Sequence, residues 1–213
     1  MRPTLWIFGV LCLALLAYLL WPVMGFYRLD SVIGAKDSAA LAEVVDIPAV
    51  RQSLIKELVH TYLKMMGKKR EKAKQPKLTM IEQTVAVRVG TSIAEPIVAQ
   101  LVNEKTLLDL LSKGHFKLKG ASGAGKDRVS ELSALAPFTG GNAPNPWQVW
   151  SMEYRGNDVY MYLPPGKPRE EQFRVKLNLS GLQWKLSGLD LPKPMLMQLV
   201  KEIVGQQRGM TDE

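Results

Sequence analysis

The run Gly120-Ala121-Ser122-Gly123-Ala124-Gly125-Lys126 fits the G-x-x-x-x-G-K pattern, in which backbone amides wrap phosphates and the lysine reaches the outer ones. A phosphate loop then needs Ser or Thr to hold magnesium, and the next residue here is Asp127, which would set a carboxylate against phosphate. The preceding stretch, Phe116 to Lys119, is lysine-rich rather than apolar, and no later apolar strand ends in an aspartate that could complete the metal site. These residues predict a Gly/Ala loop and no nucleotide.

Glu57 and His60 have the spacing of half a di-iron carboxylate site, because residues three apart share a helix face. A second copy is required, and His115 has no such partner, so the pair reads as part of a helix surface. The chain has one cysteine, Cys12, and two histidines, which excludes a disulfide scaffold, a zinc cluster and a His-rich metal site by inventory. There is no G-x-S-x-G elbow, and the only thiol lies inside an apolar run. The sequence therefore predicts no catalytic residue, no metal and no cofactor.

Two groups of residues could bind something. Trp150, Tyr162 and Trp184 belong to a set of aromatics at strand spacing that fits a core, but that could line an apolar ligand pocket between a sheet and helices. Lys68, Lys69, Arg70, Lys72, Lys74 and Lys77 form a run of six basic residues with one acid, Glu71. Such a run reads first as a solvated linker, and otherwise as a surface for anionic lipid or another polyanion. No aromatic residue is interleaved, which argues against nucleic acid.

The elements that must position these groups start with a hydrophobic amino end. Leu5 to Phe26 carries no charge, and its 22 residues are enough to cross a hydrocarbon core of roughly 30 Å. Trp6 at one end, and Tyr18, Trp21, Phe26 and Tyr27 at the other, sit where interfacial aromatics are expected. Val23-Met24-Gly25 is a poor cleavage site, so an uncleaved signal anchor is expected over residues 1–26, ahead of a cleaved signal or a buried core helix. Cys12 follows Leu11 where a lipidation site needs a small residue, and reads as an apolar residue of the span. Arg2 lies on the near side, while Arg28 and Lys36 on the far side are balanced by Asp30 and Asp37; the positive-inside rule keeps the amino end in the cytoplasm and sends the bulk of the chain outward.

The remaining chain has 213 − 26 = 187 residues, enough for one domain and a tail. It comes from a sequence that is 46% hydrophobic with formal charge +8, a composition that excludes intrinsic disorder throughout. A single α+β domain is expected over 27–204, with a basic linker at 68–77, a Gly-rich loop at 120–146 and a flexible tail at 205–213. Helical spacing predicts a segment from Phe26 breaking at Gly34, a short helix capped by Asp37, and a helix after Pro48 that ends at Gly67. A long helix from Met80, kinked or restarted at Pro96, and a short one ending at Gly114 follow. A helical patch is expected over Asp127 to Leu135. The period then changes to two. Trp147–Tyr154, Asp158–Leu163, Gln172–Leu179 and Leu182–Leu189 predict a four-stranded antiparallel meander with hairpin turns at Arg155–Asp158 and Ser180-Gly181, closed by a final helix from Met195 to Val204.

Phe26-Tyr27, Lys36-Asp37, Val45-Asp46-Ile47-Pro48-Ala49-Val50-Arg51 with Ser53-Leu54, and Trp184-Lys185-Leu186 with Leu189-Asp190-Leu191-Pro192 resemble a bacterial family of membrane-anchored envelope proteins known only as a domain of unknown function. The helix break, short helix and terminal meander are also distantly similar to the nuclear transport factor two-like fold, a bent sheet wrapped around helices. The resemblance implies a single-pass protein of the inner membrane with its bulk in the periplasm, and brings no active-site residues. The expected function is therefore non-enzymatic: an envelope protein binding a partner protein or an apolar ligand. The alternative is a binder of anionic lipid or polyanion surfaces through Lys68 to Lys77.

Overall fold

The computed structural model describes residues 3–72, 79–119, 129–133, 138 and 152–200. It is an α+β fold, as the sequence predicts: a long apolar helix, further helices, a four-stranded antiparallel meander and a final short helix. The helices are α1 (Pro3–Ala35), α2 (Ser38–Val44), α3 (Ile47–Lys72), α4 (Met80–Leu101) and α5 (Glu104–Lys113). A two-stranded ribbon, β1 (His115–Lys119) and β2 (Val129–Ser133), comes next. The meander is β3 (Glu153–Arg155), β4 (Asp158–Leu163), β5 (Phe173–Ser180) and β6 (Gln183–Asp190), in spatial order β3-β4-β5-β6. Helix α6, residues 193–200, closes the described chain.

The segment from Phe26 is not a separate helix. Helix α1 runs unbroken for 33 residues with Pro22 inside it, and ends where Lys36 adopts a positive φ of 56°. Its two halves differ. From Trp6 to Trp21 the side chains are exposed, whereas Val23, Phe26, Leu29 and Ile33 are buried in the core. The core thus begins at Pro22–Val23, a few residues before the boundary expected at Phe26, because residues at helical spacing keep one face of the same helix on the sheet.

Short polar caps fix the helical turns that follow. Asp37 accepts from the amides of Ala39 and Ala40 at 2.9 and 3.1 Å, opening α2. Asp46 accepts from the Ala49 amide at 3.0 Å, opening α3, and Pro48 sits in the first turn where its missing N–H is of no consequence. Asp46→Ala should cost about 1 kcal/mol of unfolding free energy, read by urea denaturation, because one orphan amide of α3 loses its acceptor. Arg51 donates to the Val102 carbonyl from Nη2 and Nε (3.1 and 3.3 Å), tying the start of α3 to the end of α4. The motif from Val45 to Arg51 is therefore structural: it caps one helix and clamps another.

Gly67 does not end α3, which continues to Lys72. A glycine inside a helix costs only about 1 kcal/mol, and here Arg70 pairs with Glu82 of α4 through both carboxylate oxygens at 3.2 and 3.4 Å. Glu82 also completes a capping box with Thr79. Pro96 likewise neither ends nor restarts α4. The patch expected to be helical from Asp127 to Leu135 contains a strand instead. Val129–Ser133 pairs antiparallel with His115–Lys119, so a long-range ladder outweighs the local pattern. The Gly-rich run 120–126, most of the 120–146 loop, strand positions 147–151 and the 205–213 tail lie outside the described residues.

The apolar faces meet in one cluster, drawn from α1, α2, α3, α4, α5, the inner face of the sheet and α6. Helices α4 and α5 together have the length and apolarity of a bent span, yet Ile97, Val98, Leu101, Leu107, Leu110 and Leu111 are spent in this core. Two edges of the sheet differ. The β6 edge is covered, with Val45 bridged in parallel to Leu186 and the Asp46 amide donating to the Leu186 carbonyl at 2.8 Å. The β3 edge is only three residues long. Ser187 is an extra residue in the β5–β6 ladder, since Lys176 opposes Gly188 while Leu177 opposes Leu186. Gly188 leaves room there for α3: a Cβ on it would lie 3.0 Å from Ser53 Oγ.

Candidate functional site

Of the residues proposed to line a pocket, the two described ones, Tyr162 and Trp184, are not brought together. Trp184 opposes Leu179 and lies on the inner, buried face of the sheet, while Tyr162 opposes Arg174 on the outer face, because successive strand residues alternate sides. Trp150 lies outside the described residues. Trp184 packs against α1 at Gly25, where an added Cβ would stand 2.5 Å from Trp184 Cβ and 3.2 Å from Leu177 Cδ1. A depression found among the described residues lies instead on the exposed half of α1, at Trp6, Gly9, Val10 and Leu13.

The outer face of the sheet is an array of cations and tyrosines. Arg169 stacks over Tyr162 at 4.7 Å, and Arg174, Arg155 and Lys176 surround Tyr160 at 5.2, 5.6 and 6.0 Å. Carboxylates hold these cations in place: Glu153 pairs with Arg155 and Arg169, Asp158 with Lys176, and Asp190 with Arg174. The alternation of β5, Arg174-Val175-Lys176-Leu177, was the sequence signal for this face.

Beside it, where α3 passes the end of β6, lies a group that spacing alone did not find. Glu57 Oε2 accepts from the Leu191 amide at 3.1 Å. Burial pushes the Glu57 carboxyl up to about 8, the neighbouring Asp190 adds to the rise, and the Leu191 N–H and Arg174 only partly offset it. Asp190 is raised as well, by burial first, against the opposing pull of Arg174 and Lys176. The visible signal was Glu57's place between Leu54 and Leu58 on the apolar stripe of α3. His60, its supposed partner, is exposed, and Glu57 faces the sheet.

The basic run is divided. Lys68 is exposed and Arg70 half-buried on the last turns of α3, the backbone at Lys69 and Lys72 is helical, and Lys74 and Lys77 lie outside the described residues. Cys12 is exposed on the apolar half of α1. Among the described residues no group of three or more His, Cys, Asp or Glu side chains is placed to hold a metal ion.

Fold and site together define an α+β domain built onto the end of an apolar helix that is long enough to span a membrane. Residues 11–110 match the family model described as Protein of unknown function (DUF2939). The match runs from within α1 to within α5, less than half of the chain, and stops before the sheet. Neither the curated proteins nor the solved structures contain a significant match.

Proposed function

We propose that the protein is a non-enzymatic, single-pass protein of the bacterial cell envelope, anchored by α1 in the inner membrane, with its α+β domain in the periplasm binding a partner protein. The observation that carries this reading is the division of α1. Pro3 to Trp21 is 19 residues of helix, about 28 Å long at 1.5 Å per residue, against a hydrocarbon thickness of roughly 30 Å. Burial in the core starts at the next residue. The domain is then held at the membrane surface by a rigid helix rather than a flexible tether. Tyr154 supports this, its hydroxyl donating to the Leu19 carbonyl at 2.7 Å just where the exposed half ends.

A protein partner is favoured over an apolar ligand because Tyr162 and Trp184 lie on opposite faces of the sheet. The outer face, with its ordered cations around Tyr160 and Tyr162, offers the aromatic and arginine content typical of binding surfaces. The orientation is the one that the resemblance to membrane-anchored envelope proteins implies. It is tested by fusing alkaline phosphatase, active only outside the cytoplasm, after Glu213. Phosphatase activity in an uncleaved, membrane-bound fusion is expected, followed by crosslinking to a partner that is lost on Tyr160→Ala with Tyr162→Ala. An inactive fusion or a cleaved, soluble chain would overturn the reading.

A further inference from the structure

We propose that the α3–α4 hairpin docks on the anionic membrane surface, with the outer stripe of α4 entering the lipid headgroup region. One face of α4 is packed against α3, and the opposite face is left bare. The face formed by Ala86, Gly90 and Ala94 packs on α3, where a Cβ on Gly90 would touch Val59 and Tyr62 at 3.5 and 3.8 Å. On the opposite side Ile81, Val85 and Val89 are 78%, 57% and 42% exposed, at the i, i+4, i+8 spacing of one stripe. Met80, the first residue of α4, is 86% exposed. An apolar stripe left in water on a helix whose other face is already packed marks a surface that something covers.

Charge says what covers it. Among the described residues from Lys64 to Gly90 there are six basic residues, Lys64, Lys68, Lys69, Arg70, Lys72 and Arg88, against two acids, Glu71 and Glu82. Glu82 is bound by Arg70, and Arg88 lies on the stripe itself with no ion pair among the described residues. Apolar side chains flanked by an excess of cations suit an anionic bilayer interface, where the chains enter the headgroup boundary and the cations meet phosphates. The proposal rests on the anchoring reading above, since α1 then holds the hairpin at a high effective concentration near the bilayer.

The test places a bimane label on Ile81→Cys in full-length protein carrying Cys12→Ser, reconstituted in nanodiscs of phosphatidylcholine alone or mixed with phosphatidylglycerol. Brominated phosphatidylglycerol should lower the emission about two-fold in the mixed discs at low salt, because screening weakens a surface attraction. Quenching should be lost at high salt and with Lys68→Glu plus Arg88→Glu, and Val85→Asp should abolish it without loss of folding, since Val85 is exposed. Equal, water-like emission in both lipids overturns the proposal. So does a label that is shielded only when two copies share a disc, which makes a second chain the occupant, or one shielded only by a crosslinked envelope protein. A chain that fails to enter discs through α1 sinks the anchoring reading instead; the same label is then read on added vesicles, where absence of quenching still overturns the docking of α4.

Discussion

Gly25→Leu should separate the apolar helix from the domain and cost more than about 3 kcal/mol of stability, beyond the usual overpacking range of about 1–3 kcal/mol. At Gly25 the Cβ alone would stand 2.5 Å from Trp184 Cβ. That atom is fixed to the β6 backbone, so no rotamer change relieves the clash, and either α1 or the strand must move. Gly25→Ala, which adds only this Cβ, should fall within the overpacking range. The control is Gly9→Ala on the exposed half of the same helix, where nothing lies within 4 Å; it should leave stability unchanged or raise it by up to about 1 kcal/mol, since alanine is the better helix former. Thermal and urea unfolding in detergent, followed by near-ultraviolet circular dichroism of the tryptophans, distinguishes the three. A Gly25→Ala protein as stable as the wild type would show that helix and sheet do not meet at this distance, and would remove the argument for a rigidly held domain.

The second large effect is a pH dependence from Glu57. Its carboxyl is raised to about 8 in the folded protein against 4.5 when free, so below pH 4.5 both folded and unfolded chains carry the proton and the contribution is fully present. Between those values the folded state keeps a proton that the unfolded state has lost. Stability therefore falls as pH rises, by up to about 1.4 kcal/mol per pH unit, and levels off above pH 8. Glu57→Gln fixes the neutral form and can still accept from the Leu191 amide. The variant should match the wild type within about 1 kcal/mol near pH 5 and be the more stable of the two at pH 8 and above. Because the other acids titrate in both proteins, the difference between the two pH profiles reports Glu57 together with its coupling to Asp190. Parallel profiles would mean that this carboxylate is ionised and solvated in the fold.

Gly25 and Glu57 also mark where reading along the chain stops. Local patterns carried the hydrophobic amino end, the Asp37 cap, the helix after Pro48 and the meander from Asp158 onward, because each depends on neighbours within a few residues: a charge-free run, a side chain reaching its own helix amides, or a strict alternation across a pleat. The run from Arg174 to Leu177 gave the wet and dry faces of the sheet directly.

What the local pattern could not carry was set by partners distant in sequence. Gly67 reads as a stop until Arg70 finds Glu82 across the helical hairpin. Val129 to Ser133 reads as helical until β1 offers it a ladder. Tyr162 and Trp184 read as aromatics that could line one pocket, yet the ladder places them on opposite sides of one sheet. Glu57 reads as a surface residue beside His60, and only the approach of α3 to the end of β6 removes it from water and sets it beside Asp190. The sequence by itself determined the apolar helix, the helices after Asp37 and Pro48 and the meander from Asp158, since these follow from propensity and periodicity. Only the tertiary structure decided that α1 is exposed along its first half and core along its second, that α4 keeps an uncovered apolar stripe, and that a carboxyl is held protonated near neutral pH, because burial and electrostatic neighbourhood belong to the packed chain and not to any stretch of it.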